Sequence, residues 1–238
     1  MHFNKKDFVF ISIIVFLLIT SLALGISLAI NFTNKNKING FQQYYNEHVS
    51  TFRVENANLS KGQIVFIGDS ITDLYHLDDY YTDLDKATYN RGIGGDVTSG
   101  VIKRLQVSLY DIEPSEIVLM IGINDINGGI SKQKILDNYQ FILNDIKIHL
   151  PSAKLFAMSI LPLSRTFTAV NVKENNQKVV EINASIAELA NELSYTYVDL
   201  YSHVIDENNM LISSYTDDGI HPNANGYQVW TNLLKPLL

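Results

Sequence analysis

Short apolar runs, each closed by a turn residue and followed by a helically spaced stretch, constrain this chain more tightly than any other feature. Ile64-Val65-Phe66-Ile67 stops at Gly68, Ile117 to Ile121 stops at Gly122, and Leu155 to Ile160 stops just before Pro162. Tyr197 to Leu200 is the last run, and Ala87 to Asn90, ending near Gly92, is the weakest. The runs are continuous rather than alternating, as expected of parallel strands covered on both faces. Between them lie Val97–Leu109, Ser131–Leu150, Val172–Leu193 and the closing stretch Gly226–Leu238. Ile135, Tyr139, Ile142, Ile146 and Leu150 mark one face of the second helix, and Pro151 stops it; Val179, Ile182, Ile186, Leu189 and Leu193 mark one face of the third. Alternation of this kind predicts an α/β domain, a three-layer α/β/α sandwich with right-handed crossovers, over residues 62–238.

A second feature precedes that domain. Residues 8–30, Phe8 to Ile30, contain no charge over 23 positions. As a helix they would be about 35 Å long, enough to cross a hydrocarbon core of about 30 Å. Lys5 and Lys6 favour a cytoplasmic N-terminus for residues 1–7. The expectation is one transmembrane signal anchor, with the bilayer as a partner and the α/β domain extracytoplasmic. The alternative is secretion after signal-peptide cleavage near Ala23-Leu24-Gly25. Residues 31–61 read as an Asn/Lys-rich spacer and a juxtamembrane helix with Ile38, Phe41, Tyr45, Val49 and Phe52 on one face. A net charge of -7 argues against a nucleic-acid partner and against electrostatic docking of the domain on anionic lipid. With no cysteine, disulfides, thiolate metal sites and cysteine nucleophiles are excluded.

The residues suited to chemistry follow the strands, where open parallel sheets bind ligands. Ser70, in Gly68-Asp69-Ser70, stands after the first strand at a helix start that favours an anion; Asp69 or Ser70 could equally serve only as a cap. In Asn90 to Asp96, Gly95 could offer its N–H to an oxyanion, or form a turn in which Asp96 caps the next helix. The spacing there is not that of a dinucleotide site. Asn124 could donate a side-chain amide, and Asp125 reads as a cap or brace. Asp218 and His221 lie three apart in a turn-rich stretch, where the carboxylate can hold one imidazole nitrogen and free the other as a base. His203, near Asp199 and Asp206, is the runner-up base. A glycosidase pair among Asp78, Asp79 and Asp83 lacks a fixed separation, and no histidine pair has a metal-ligand spacing. The Tyr-rich segment Leu74–Asp85 and the loop Pro162–Asn176 are expected to shape the pocket, the former as a rim or lid.

Taken in order, Ile67-Gly68-Asp69-Ser70, Asn90 to Asp96, Gly122-Ile123-Asn124-Asp125 and Asp218-Gly219-Ile220-His221-Pro222 resemble the sequence blocks of the SGNH hydrolases, or GDSL esterase/lipase family. The likeness covers Gly62 to the C-terminus. It implies a serine ester hydrolase with Ser70 as nucleophile, His221 as base and Asp218 as its partner. The oxyanion hole it implies comprises Ser70, Gly95 and Asn124. The phrases FIGDSIT and NRGIGGDVT are similar to the branch with platelet-activating-factor acetylhydrolase subunits and bacterial acylhydrolases, which implies a flavodoxin-like five-stranded parallel sheet and no cofactor. Thioesterases, lysophospholipases, arylesterases and carbohydrate O-acetylesterases all occur in the family, so a small-molecule, lipid or glycan ester is expected. An O-acyltransferase using the same residues is the alternative, and a non-catalytic binding domain a further one.

Overall fold

The computed structural model describes residues 40–238 continuously, together with Thr20, Leu22, Leu24, Ile26, Ser27 and Thr33. The chain divides into two compact units, Met1–Asn46 and Glu47–Leu238. In the first, the described residues are helical, and Leu22, Leu24 and Ile26 are exposed. The rest of the expected span at 8–30 lies outside the described residues. Among the described residues no helix is long and apolar enough to cross a membrane.

The second unit is built on five parallel strands: β1 (Ile64–Gly68), β2 (Thr88–Gly92), β3 (Glu116–Met120), β4 (Lys154–Met158) and β5 (Thr196–Val198). Their order is β2-β1-β3-β4-β5. Each falls on a predicted run. Every residue of β1 and β3 is buried, as their unbroken apolar runs require. At the edge, Thr88, Tyr89 and Asn90 of β2 are only half-buried, which is why that run was the faintest in sequence.

Among the described residues of this unit, α-helical segments connect and flank the strands: α1 (helical over 40–56, with 47–56 in this unit), α2 (Ser70–Asp73), α3 (Thr98–Leu105), α4 (Ile123–Asn127), α5 (Lys132–His149), α6 (Val172–Glu192), α7 (Tyr201–Val204) and α8 (Ala224–Leu234). Four start on side-chain caps that satisfy first-turn N–H groups: Asp69 for α2, Ser131 for α5, Asn171 for α6 and Asn223 for α8. The stripe Ile135, Tyr139, Ile142 and Ile146 on α5 is buried, as are Val179, Ile182 and Ile186 on α6. Helices α3, α5 and α6 pack in succession. Trp230 of α8 meets Phe66 of β1, with ring centroids 6.5 Å apart.

Within this unit α1 is fastened to the end of β2 by Arg91. Its guanidinium donates to Glu55 at 2.9 Å and Asn56 at 3.0 Å and lies 4.5 Å above the Phe52 ring. The Tyr-rich segment after α2 does not stand free as a lid. Tyr75, Leu77 and Tyr81 are buried, leaving Leu74, His76, Asp78 and Asp79 exposed. Tyr75 stacks on Tyr227 at 4.5 Å, and its hydroxyl joins those of Tyr81 (2.9 Å) and Thr231 (2.6 Å). Tyrosine can be buried this way because its apolar ring packs while its hydroxyl finds partners.

Candidate active site

The site begins where β1 ends. Asp69 caps α2 by accepting the Ile71 N–H at 3.0 Å, so Ser70 becomes the first residue of a helix. Its N–H therefore has no intrahelical acceptor, and its side chain is only partly buried. The cap and the candidate nucleophile are thus adjacent residues with separate tasks. Ser70 Oγ lies 2.8 Å from His221 Nε2, across 151 positions of sequence. On the far side of the imidazole, Nδ1 is 2.5 Å from Asp218 Oδ2. With the Nδ1 proton held by that carboxylate, Nε2 is left to accept the serine proton.

Local hydrogen bonds fix the Asp-Gly-Ile-His turn. Asp218 Oδ1 accepts the N–H groups of Ile220 (3.0 Å) and His221 (2.8 Å). Burial alone would raise the Asp218 pKa, but the bonds from the His221 ring and from these two N–H groups outweigh it and hold it at about 2. Between them, Gly219 has φ +90°, and a Cβ there would stand 2.8 Å from the Phe167 nitrogen. Its carbonyl accepts the Ser164 N–H at 2.8 Å. The loop after β4 therefore backs the turn, in keeping with the expectation that Pro162–Asn176 shapes the site. The two side chains stay open to solvent, His221 at 29% and Asp218 at 53%.

The other two candidates lie just past the ends of the two strands that neighbour β1. Gly68 is level with Gly92 of β2 on one side and Met120 of β3 on the other, and adjacent strands are about 4.8 Å apart. The loop after β2 carries Gly95, exposed and at φ +77°, a backbone region that glycine enters without strain. Among the described residues its N–H has no backbone acceptor. The loop after β3 carries Asn124, whose Nδ2 donates to the Asp96 carbonyl at 2.9 Å. That bond spans from the β3 loop to the β2 loop, past the end of β1. It ties Asn124 to the residue that follows Gly95.

Beneath these loops is a buried charged layer that sequence reasoning missed. Asp69, Asp96, Asp125 and Arg104 are each 1–2% exposed. Arg104 Nε donates to Asp96 at 2.8 Å. Asp125 accepts the Thr98 N–H (2.9 Å) and hydroxyl (2.6 Å), so it braces the start of α3 from another loop. Asp96 accepts the adjacent Val97 N–H at that helix start, and the Thr98 N–H goes to Asp125. Burial raises the Asp69 carboxyl to about 7, with the Ile71 N–H opposing, Asp96 and Asp125 adding repulsion and Arg104 opposing. Asp96 and Asp125 are also raised, again chiefly by burial. Arg104 stands on α3, eight positions after Asp96, which precedes that helix.

The rival groups go elsewhere. His203 Nδ1 contacts the Asp199 carbonyl at 2.9 Å and the Ser202 hydroxyl at 3.2 Å. Asp83 pairs with Lys235, and Asp78 and Asp79 sit in an exposed 3-10 turn. Among the described residues no group of three or more His, Cys, Asp or Glu could hold a metal ion.

Comparison with known proteins points the same way. Over 123 residues the chain is 30% identical to the platelet-activating factor acetylhydrolase IB subunit alpha1 of Pongo abelii, covering 50% of this chain and 52% of that protein. The chain thus spans about half the length of the curated relatives it matches. A solved structure from Streptococcus pneumonia, provisionally described as a platelet activating factor, superposes with a TM-score of 0.80 at 27% identity, covering 87% of this chain and 98% of the other. A GDSL-like lipase from Bacteroides thetaiotaomicron shares the fold, with a TM-score of 0.71 at 24% identity over 79% of this chain and 96% of that one. The model of the GDSL-like lipase/acylhydrolase family matches residues 66–229, and with the five-stranded parallel sheet this establishes that the chain belongs to the GDSL-like lipase/acylhydrolase family.

Proposed function

We propose that this chain is a serine ester hydrolase that works through an acyl-enzyme on Ser70. The observation that carries the reading is the aligned relay of Ser70, His221 and Asp218, at 2.8 and 2.5 Å. Ser70 Oγ attacks the ester carbonyl carbon while His221 Nε2 takes its proton. The resulting oxyanion is met by the Ser70 and Gly95 N–H groups and the Asn124 amide; one such donor is worth roughly 100- to 1,000-fold in rate. The tetrahedral species collapses, His221 returns the proton to the leaving alcohol, and water then enters. Activated by His221, that water releases the acid and restores Ser70. Asp218 holds the imidazole in the required tautomer and stabilises its cation.

Residues 8–30 anchor the enzyme in the cell membrane as a single pass, with the hydrolase unit on the extracytoplasmic side. The charge-free run and the exposed Leu22, Leu24 and Ile26 support this. Intact-mass analysis of the mature membrane fraction tests it, since a cleaved N-terminus would mean a secreted form. The matched acetylhydrolase subunit suggests a short acyl group on a lipid or glycan alcohol.

Turnover of p-nitrophenyl acetate and butyrate by the wild type beside Ser70→Ala tests the mechanism, and equal rates would refute it. Preferential acyl transfer to a wall sugar in water would establish the O-acyltransferase alternative instead.

A further inference from the structure

We propose that Arg104 is the positioning residue of the oxyanion hole, a role that rests on the hydrolase reading above. Its guanidinium is 1% exposed, and four of its N–H groups are used in directed bonds. Nη2 donates to the Gly68 carbonyl at 2.8 Å, at the end of β1 and two residues before Ser70. Nη1 donates to the Arg91 carbonyl at 2.7 Å, at the end of β2, and to Ser108 Oγ at 3.0 Å. Nε donates to Asp96 Oδ2 at 2.8 Å, on the residue immediately after Gly95. Asp96 in turn receives Asn124 through its carbonyl, at 2.9 Å.

One planar cation therefore links the mounts of all three proposed donors. It reaches the Ser70 N–H through Gly68, the Gly95 N–H through Arg91 and Asp96, and the Asn124 amide through Asp96. The links are short and rigid. Gly68 lies within β1, Arg91 within β2, and Arg104 on α3, whose start is braced by Asp125. A guanidinium presents its donors in a fixed plane, whereas the ammonium of lysine is a point charge that cannot hold three acceptors in that geometry. Arg104 touches no reacting atom in this scheme; it sets where the N–H groups point.

Such a role predicts a loss confined to states that carry the oxyanion. Arg104→Lys in the full-length chain is expected to lower kcat about 100-fold, the scale of a misplacement near 1 Å. KM for p-nitrophenyl acetate should stay within about threefold, because the ground-state ester makes little use of the hole. The Ki of a phenylboronic acid, whose tetrahedral adduct with Ser70 places an oxygen in the hole, should rise by a factor similar to the fall in kcat. Ki does not depend on the fraction of enzyme that is folded, so a purely structural arginine would leave it unmoved. A variant with wild-type kcat and Ki, whatever its melting temperature, overturns the proposal. Should Arg104→Lys fail to fold, Asp96→Asn keeps the side-chain shape but removes the ion pair. A matched change of about tenfold in kcat and Ki is then expected, and unchanged values overturn the role equally. Wild-type turnover that proved independent of Ser70 would remove the acyl-enzyme reading itself, and this role with it.

Discussion

Replacing Asp69 by asparagine should make the protein more stable in mild alkali, although the residue adjoins the proposed nucleophile. Asp69 is 1% exposed and shares its buried layer with two further carboxylates and one arginine. Burial first, then repulsion from Asp96 and Asp125, lift its carboxyl from 3.8 to about 7. A folded-state pKa above the unfolded one favours the protonated carboxyl. That stabilisation is fully present below pH 3.8 and is lost as pH rises through about 7. At pH 5 the unfolded chain has already ionised, whereas the folded chain keeps its proton for about two more pH units. At 1.36 kcal/mol per unit, wild type should lose about 3 kcal/mol between pH 5 and pH 8 from this group alone. Asparagine keeps an oxygen for the Ile71 N–H and cannot ionise. Urea unfolding suits the measurement, because Trp230 is the only tryptophan in the chain and is buried. The difference in unfolding free energy, Asp69→Asn minus wild type, should grow by about 3 kcal/mol from pH 5 to pH 8. Parallel stability curves over that range would refute the buried-layer argument.

Other consequences are as direct. Tyr227→Phe keeps the ring stacked on Tyr75 but removes the hydroxyl that donates to the Ile71 carbonyl at 2.8 Å. Stranding that buried acceptor should cost about 1–3 kcal/mol, seen as an earlier urea midpoint. Asp218→Asn removes the carboxylate that holds the His221 tautomer and should lower kcat on the order of 10³- to 10⁴-fold, measured with p-nitrophenyl acetate. Because Asp218 is held at about 2 against 3.8 unfolded, its contribution to stability is present above about pH 4 and vanishes as pH falls towards 2. Acid unfolding followed by Trp230 fluorescence should therefore show wild type and Asp218→Asn converging across that window.

The strands were legible because burial on both faces leaves an unbroken apolar run, as in β1 and β3. The edge strand β2 was faint because three of its five residues are only half-buried. Ser70 and Asn124 could be singled out because open sheets present their chemistry at strand ends, Asp218 and His221 because a carboxylate three residues from an imidazole in a turn can hold it, and the structure joins Ser70, His221 and Asp218 by direct hydrogen bonds. Less visible was anything held by long-range packing. Tyr75 and Tyr81 look like surface residues in an acidic segment, yet their hydroxyls are satisfied by each other and by Thr231, more than 150 positions away from Tyr75. Arg104 looks like the polar face of a helix, since nothing local shows that strand-end carbonyls and Asp96 will surround it. Asp125, read as a cap or brace, does brace a helix, but one that starts 27 positions earlier in the chain.

The central claim is that Ser70 becomes covalently acylated, and rapid quenching tests it most directly. Wild-type protein mixed with p-nitrophenyl acetate and quenched in acid within the first turnover should carry an acetyl group on the peptide containing Ser70. That adduct should be absent from Ser70→Ala and should accumulate in Asp218→Asn if release of the acid becomes the slow step. Turnover without any adduct on Ser70, or an adduct on another residue that forms and decays at the rate of turnover, would contradict the acyl-enzyme account.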